Sequence, residues 1–346
     1  MKPIVPANKL KGIVLKSLKR NAQFCLVLIS LLLIYAGCAP YSLPDKHPYA
    51  PEKDPYNFYM ESQAAYQSGD YPLALKKIDQ AIKLNSNMAK FYLLRGDVYK
   101  KMFRDDQAML AYQTAVNKRS NYTEAHLAIG DLFLKQAKYE EAIKAYKKIT
   151  VLEPGQNEML LKIAQAYILW DEYPVALYNL ETYRKNAEEH QLSLSDEYYM
   201  LLGEVLFKTG KFQESIVELD KVKTENIRVL KLFGLAYYGL ESYEKGMSYF
   251  NKLLNLDKDN GEWYYYRGIY YYVKNKPKDA AGQFNHALQL DNTLYESHYY
   301  MGKIQQEQGQ ADAALSEFRR YRQYSTNPER LAEVNAIITT MESSLK

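Results

Sequence analysis

"YLLRGDVYKKMFRDDQAMLAYQTAVNKRS", residues 92 to 120, decides how the chain folds. Two small residues, Gly96 and Ala108, stand twelve positions apart, and the large Tyr112 follows the second by four. Tyr99 follows the first by three. Offsets of three and four lie on one helix face. The stretch therefore reads as a helical hairpin in which a small residue on each helix lets the backbones approach and a large residue fills the space beside them.

The same spacing runs along most of the chain. The first small residue recurs at Ser62, Gly96, Gly130, Ala164, Gly203, Gly234, Gly268 and Gly302, in steps of 34, 34, 34, 39, 31, 34 and 34. Twelve positions on stand Ala74, Ala108, Ala142, Ala176, Ser215, Gly246, Ala280 and Ala314. Four further come Ile78, Tyr112, Tyr146, Leu180, Leu219, Phe250, Phe284 and Phe318. A fixed period of this kind marks a repeat architecture. Units four to six break it: "YRKNAEEHQLSLSDEYY" (183–199) adds five residues, the next step loses three, and Gly246 stands where Ala is expected. A longer second helix or an extra turn is expected there, and with it a bend.

With its aromatic, Gly, aromatic, Ala, aromatic and Ala positions at Tyr92, Gly96, Tyr99, Ala108, Tyr112 and Ala115, the unit resembles the tetratricopeptide repeat. The resemblance implies an all-α fold, a right-handed α-solenoid of about eight hairpins over residues 55–326. Residues 328–345, "PERLAEVNAIITTMESSL", open on a Pro suited to a first helical turn and carry Leu331, Val334, Ile337, Ile338 and Met341 at helical spacing. Residues 327–346 read as a helix capping the open end of the stack, with Glu329, Arg330 and Glu333 toward water.

The densest aromatic run, "GEWYYYRGIYYYVKN" (261–275), now has a frame. Tyr264, Gly268 and Tyr271 fall at internal packing positions. Tyr265, Ile269 and Tyr272 fall one position later, on the stripe that in tetratricopeptide proteins lines a concave groove for partners. Phe207, Tyr238 and Tyr299 occupy equivalent positions in neighbouring units, and Tyr56, Tyr59 and Tyr66 in the first. Three readings stand side by side: the stripe helps neighbouring repeats stack, or it docks a peptide or partner helix, or it stacks on carbohydrate. Arg228 and Lys231 offer charge in unit six, but Leu235 follows where a carboxylate clamp needs a polar group.

The N-terminal 37 residues carry Lys2, Lys9, Lys11, Lys16, Lys19 and Arg20 and no acid, so the overall +4 becomes about −2 for the rest of the chain. That balance gives no basic face for nucleic acid. Behind the basic stretch an apolar run, Phe24–Gly37, extends about 21 Å as a helix, short of the roughly 30 Å hydrocarbon core, and suits a signal peptide. "Tyr35-Ala36-Gly37-Cys38" resembles the lipobox of bacterial lipoproteins. The resemblance implies cleavage after residue 37, lipid attachment at Cys38 and a place in the bacterial envelope, on the outer membrane facing the periplasm. An uncleaved anchor and a plain secretory signal are the alternatives. Residues 38–54 form a tether: five of the chain's twelve prolines lie between 39 and 55, and the segment reaches on the order of 50 Å.

No catalytic constellation appears. The sequence holds no phosphate loop, dinucleotide fingerprint or nucleophile elbow. Its two cysteines, Cys25 and Cys38, leave no pair in a mature chain, and no metal or cofactor site is read. His47, His126, His190, His286 and His298 are scattered and read as surface or edge residues. The expectation is a non-enzymatic scaffold for a cell-envelope assembly or secretion system: pilus, polysaccharide export or outer-membrane assembly. Its partners would be envelope proteins, and its membrane contact the lipid anchor. A polysaccharide-binding lipoprotein using the aromatic groove is the alternative, and no oligomeric state is read.

Mass spectrometry of the protein isolated from its own cells is expected to show a mature chain beginning at lipid-modified Cys38. An unmodified Cys38, or a chain still starting at Met1, would contradict the lipobox reading.

Overall fold

A computed structural model describes residues 54–344. The basic and apolar N-terminal segment, Cys38 and nearly all of the tether lie outside the described residues. The repeats fall almost entirely within one compact unit, Phe58–Lys346.

Among the described residues there are seventeen α-helices and no strand. They pair as Pro55–Gln67 (α1) with Tyr71–Leu84 (α2), Ala89–Lys101 (α3) with Asp105–Lys118 (α4), Thr123–Lys135 (α5) with Tyr139–Leu152 (α6), and Glu158–Leu169 (α7) with Tyr173–Glu189 (α8). The series continues with Asp196–Lys208 (α9) and Phe212–Leu219 (α10), Ile227–Gly239 (α11) and Tyr243–Leu256 (α12), Gly261–Val273 (α13) and Pro277–Leu290 (α14), Glu296–Glu307 (α15) and Ala311–Tyr324 (α16). Pro328–Ser344 (α17) closes it. First helices of successive hairpins also meet, at α7–α9, α9–α11 and α13–α15, which sets them on the inner side of the array.

The small residues do the work their spacing assigns them. A Cβ built on Gly96 would lie 2.3 Å from the Tyr112 ring, on Gly130 2.5 Å from Tyr146, and on Gly268 2.5 Å from Phe284. Gly203, Gly234 and Gly302 face Leu219, Phe250 and Phe318 in the same way. All of these large residues are fully buried. Ser62 and Ser215 take small positions with a hydroxyl, and each donates across the hairpin, to the Ala74 carbonyl at 2.8 Å and the Gly203 carbonyl at 2.6 Å. A buried hydroxyl is tolerated because it is paired.

Every hairpin turns through one backbone device. The turn residue has positive φ in all eight: Gly69, Phe103, Ala137, Asp171, Gly210, Glu241, Asn275 and Gly309. The next N–H then reaches back to the last turn of the first helix, as from Asp70 to Ala65, Arg104 to Tyr99 and Lys276 to Tyr271, each at 2.9 Å. This is a Schellman closure, which satisfies carbonyls the helix end leaves open. Glycine adopts that conformation without strain, whereas a Cβ there costs about 1–2 kcal/mol. Five of the eight turns accept that cost, Phe103 at φ 58° with its ring 87% exposed.

The irregular spacing has local causes. The extra residues lengthen α8 to seventeen, burying Tyr183 and Ala187, and Gln191 just beyond its end takes φ 55°. Tyr183 stacks on Tyr198 of α9 at 5.5 Å. The shortfall in the next unit contracts α10 to eight residues. Asn226 then starts α11, its side chain accepting from the Val229 N–H at 3.1 Å. Gly246 is no defect: a Cβ there would meet the Tyr238 ring at 2.3 Å. α17 buries Val334, Ile338 and Met341 against α16 as expected of a cap. Arg330 departs from expectation, because it is half-buried and ion-paired with Glu296 of α15 rather than standing in water.

Two substitutions probe this packing. Gly268→Leu drives a side chain into Phe284 and is expected to lower stability by about 1–3 kcal/mol or more in thermal or urea unfolding; a native curve would refute the repeat frame. Phe103→Gly is expected to raise stability by about 1 kcal/mol, since it relieves a strained backbone and removes no buried contact. A lowered midpoint would show that the ring is held by something in the fold.

Candidate functional site

The first helices present one stripe of side chains on the inner face; the stripe residues singled out in the sequence lie half-buried there, except Tyr56, which is exposed. Phe207 of α9 packs on Phe212 at its own turn, with ring centroids 5.7 Å apart. Tyr238 of α11 stands edge-on to Phe250 at 5.1 Å and to Tyr266 at 6.0 Å. Its hydroxyl donates to the Tyr266 carbonyl at 2.9 Å and so ties unit six to unit seven.

In α13, Tyr265 sits against Tyr266, Phe284 and Tyr300 at 5.1, 6.0 and 6.2 Å. Burial pushes its hydroxyl well above the usual phenol range. Ile269 joins the same cluster beside Phe284, Met301 and Ile304. The Tyr272 hydroxyl donates to Glu307 of α15 at 2.7 Å, and that of Tyr299 donates to Glu333 of α17 at 2.9 Å. For both, burial first and then the accepting carboxylate raise the pKa, so each stays a protonated donor. The hydroxyls therefore bridge consecutive units.

Residues outside the sequence reading complete this face. Tyr266 stacks on Phe250 at 4.5 Å with planes 14° apart, and Tyr300 on Phe284 at 5.2 Å and 8°. Each lies sixteen positions after the ring it covers, a spacing legible in the sequence once the large residue of one unit is known to cap the first helix of the next. The packing positions assigned to Tyr264 and Tyr271 are only half-buried, and Tyr264 meets His286 edge-on at 4.3 Å. The residue of α13 that reaches the core is Trp263, 2% exposed. His298 corrects the surface reading of the histidines: Nδ1 lies 2.6 Å from Glu317 Oε2, and both side chains are nearly enclosed.

Charges on this face are mostly paired across units. Arg228 meets Glu204, Lys231 meets Glu262 at 2.8 Å, Lys162 meets Asp131 at 3.3 Å, and Arg330 meets Glu296 while lying 4.7 Å from the Tyr299 ring centre. Arg228 and Lys231 thus hold acids of their own chain. In the first units the Asp97 carboxylate accepts from Tyr112 at 2.8 Å, and burial holds its pKa above the ordinary value despite that bond. Among the described residues no group of three or more His, Cys, Asp or Glu is placed to hold a metal, and no helix is long and apolar enough to cross a membrane.

This array of helical hairpins, each locked by a small residue against a large one, agrees with the comparisons to known proteins. A tetratricopeptide repeat profile matches residues 59–122, 106–157, 127–187 and 232–294, and a second profile of the same repeat matches 296–326. The chain belongs to the tetratricopeptide repeat family. Between these matches, 188–231 holds the end of α8, all of α9 and the contracted α10. Among solved structures it is similar to the Cut9–Hcn1 hetero-tetramer of the APC/C, with TM-score 0.60 and 14% identity over 84% of this chain and 56% of that one. The chain thus spans little more than half the length of that relative. It is also similar to pilF of Pseudomonas aeruginosa (TM-score 0.49, 15% identity, 60% of this chain and 93% of that one). A tetratricopeptide repeat protein from Parabacteroides merdae follows (0.40, 14%, 83% and 98%). These identities show likeness of fold alone. No curated protein matches. Tetratricopeptide arrays are in general interaction scaffolds that bind peptides or protein partners, and no enzymatic family is indicated.

If the hydroxyl bridges join the units, a double-mutant cycle of Tyr272→Phe with Glu307→Gln is expected to show coupling of about 1 kcal/mol in unfolding. Additive effects would mean that the two residues act apart.

Proposed function

We propose that this protein is a lipid-anchored interaction scaffold of the bacterial cell envelope. It is held at the outer membrane through Cys38 and faces the periplasm, where its array gathers components of an assembly or secretion system. The observation that carries the reading is the inner face itself: first helices of eight hairpins follow one another, meeting directly at α7–α9, α9–α11 and α13–α15, and present a row of side chains suited to a peptide or helix. The apolar run ending at Cys38 and the proline-rich tether supply the anchoring half. Anchoring confines the search to a surface, and a tether raises effective concentration, so modest groove affinity suffices. Pilus assembly, polysaccharide export and outer-membrane protein assembly are the systems that fit.

The burial of Tyr265 among Phe284 and Tyr300 shapes the test, because truncating it would disturb the stack. A photo-crosslinking residue is better placed at Leu235 or Lys303 on the inner helices, and as a control at Val151, 73% exposed on α6. In intact cells the two inner positions are expected to capture the same envelope proteins, and Val151 not to. Capture from Val151 alone would move the docking surface to the outer helices. Capture from none would leave the array a spacer.

A further inference from the structure

The last unit departs from its siblings outside the inner face. Where other first helices carry Tyr92, Tyr199 or Tyr264, α15 has His298. Its Nδ1 is turned onto Glu317 of α16, a carboxylate only 9% exposed, which also takes Arg320 Nη1 at 3.3 Å. One buried acid therefore fixes both a ring and a guanidinium, and the ring's Nε2 edge points away from it. Beside them opens a cavity of about 640 Å³, within the roughly 300–1,000 Å³ of ligand sites. Asn292 and Thr293 of the α14–α15 loop, Tyr295, His298, Arg320, Gln323 and Tyr324 line it. Phe207, Tyr238, Tyr265, Ile269, Tyr272 and Tyr299 take no part in it.

Two properties of the lining select the ligand. It contains no aliphatic side chain and sets two tyrosine rings among amides, a hydroxyl, an imidazole and a guanidinium. Its polar groups are also uncommitted: the Tyr295 and Tyr324 hydroxyls and the Asn292 and Gln323 amides make no side-chain hydrogen bond among the described residues. Arg320 spends one N–H on Glu317 and keeps the rest of its fork. Tyr324 is 57% exposed and pairs with no other ring among the described residues, which leaves an aromatic face at the rim. A molecule that is polar around its edge, has C–H faces to lay on a ring and carries one carboxylate for the guanidinium satisfies all of these.

We propose that this cavity is a saccharide site selective for acidic sugars, separate from the inner groove. The carboxylate of a uronic acid unit pairs with Arg320, the sugar ring lies against Tyr324, and the Asn292 and Gln323 amides take its hydroxyls. Glu317 is a positioning residue that holds Arg320 and His298 in place. The site is independent of the anchoring and docking proposed above, and its failure would leave them untouched.

The experiment is titration calorimetry, backed by saturation-transfer NMR, on the full chain in a detergent without sugar headgroups. The probes are tetragalacturonate, a hyaluronan hexasaccharide, neutral cellotetraose and tetraglutamate. At least one of the two uronates is expected to bind saturably, with cellotetraose weaker by about ten-fold for want of the charged pair. Arg320→Gln should weaken the uronate by a similar factor and narrow its lead over cellotetraose. Tyr324→Ala, at a residue 57% exposed, should weaken both sugars. Absence of saturable binding by both uronates would overturn the proposal. So would uronate binding unchanged in both variants, or tetraglutamate binding as tightly as the uronates and indifferent to Tyr324→Ala, which would make the cavity a site for acidic peptides.

Discussion

The fold depends on one contact, made again in unit after unit: a small residue, glycine in six of the eight units, lying against a large buried side chain. At Gly96, Gly130 and Gly268 the ring occupies the place where a Cβ would be, so the hairpin's helices approach as closely as a ring's thickness allows. Close packing makes such a contact intolerant of even one added carbon. It also fixes the rotation of each helix about its axis, because only one face carries the small residue. Once that rotation is fixed, the neighbouring face of the first helix has to point to the inner side. The stripe from Phe207 to Tyr299 is in this sense a by-product of the lock.

The turns follow from the same geometry. A hairpin held that tightly must reverse the chain in few residues, and a single left-handed residue with its back-reaching N–H does so at all eight turns. Where the lock is intact the turn accepts Phe103, Ala137, Asp171, Glu241 or Asn275, each at a cost in backbone strain. The burial on either side of each turn is large enough to hold the strained residue in place. The departures at α8 and α10 leave the lock untouched, since Leu180 and Leu219 remain fully buried. They change how far the second helix runs and so where the next hairpin begins.

Much of this was legible in the sequence because it is periodic. Small residues at steps near 34, with large ones sixteen positions behind them, point to helix number and pairing, and the resemblance to the tetratricopeptide repeat adds the inner stripe. What was not legible is what depends on one side chain meeting a particular neighbour. Gly246 reads as a lapse from Ala until the Tyr238 ring is seen over it. Trp263 falls one position off the expected packing row yet is the most buried side chain of α13, because the ring of Phe250 in the preceding unit draws it in at 6.4 Å. Arg330 reads as solvated on its own helix, and only the approach of α15 gives it Glu296 and the Tyr299 face. Periodicity describes a unit, whereas these residues belong to the junction between units.

The junctions also bear on what the inner face has left for a partner. Tyr238, Tyr272 and Tyr299 each send a hydroxyl into the following unit, while Tyr265 and Ile269 pack against Phe284. In a quasi-one-dimensional array, stability is the sum of unit terms and nearest-neighbour terms. Aromatics that bridge neighbours therefore stiffen units six to eight and the cap as one segment. A stiff surface loses little entropy when a ligand docks. The rings of this stripe are thus already held in place by the repeats they join, so a partner at the proposed groove would meet a surface that stacking has set beforehand.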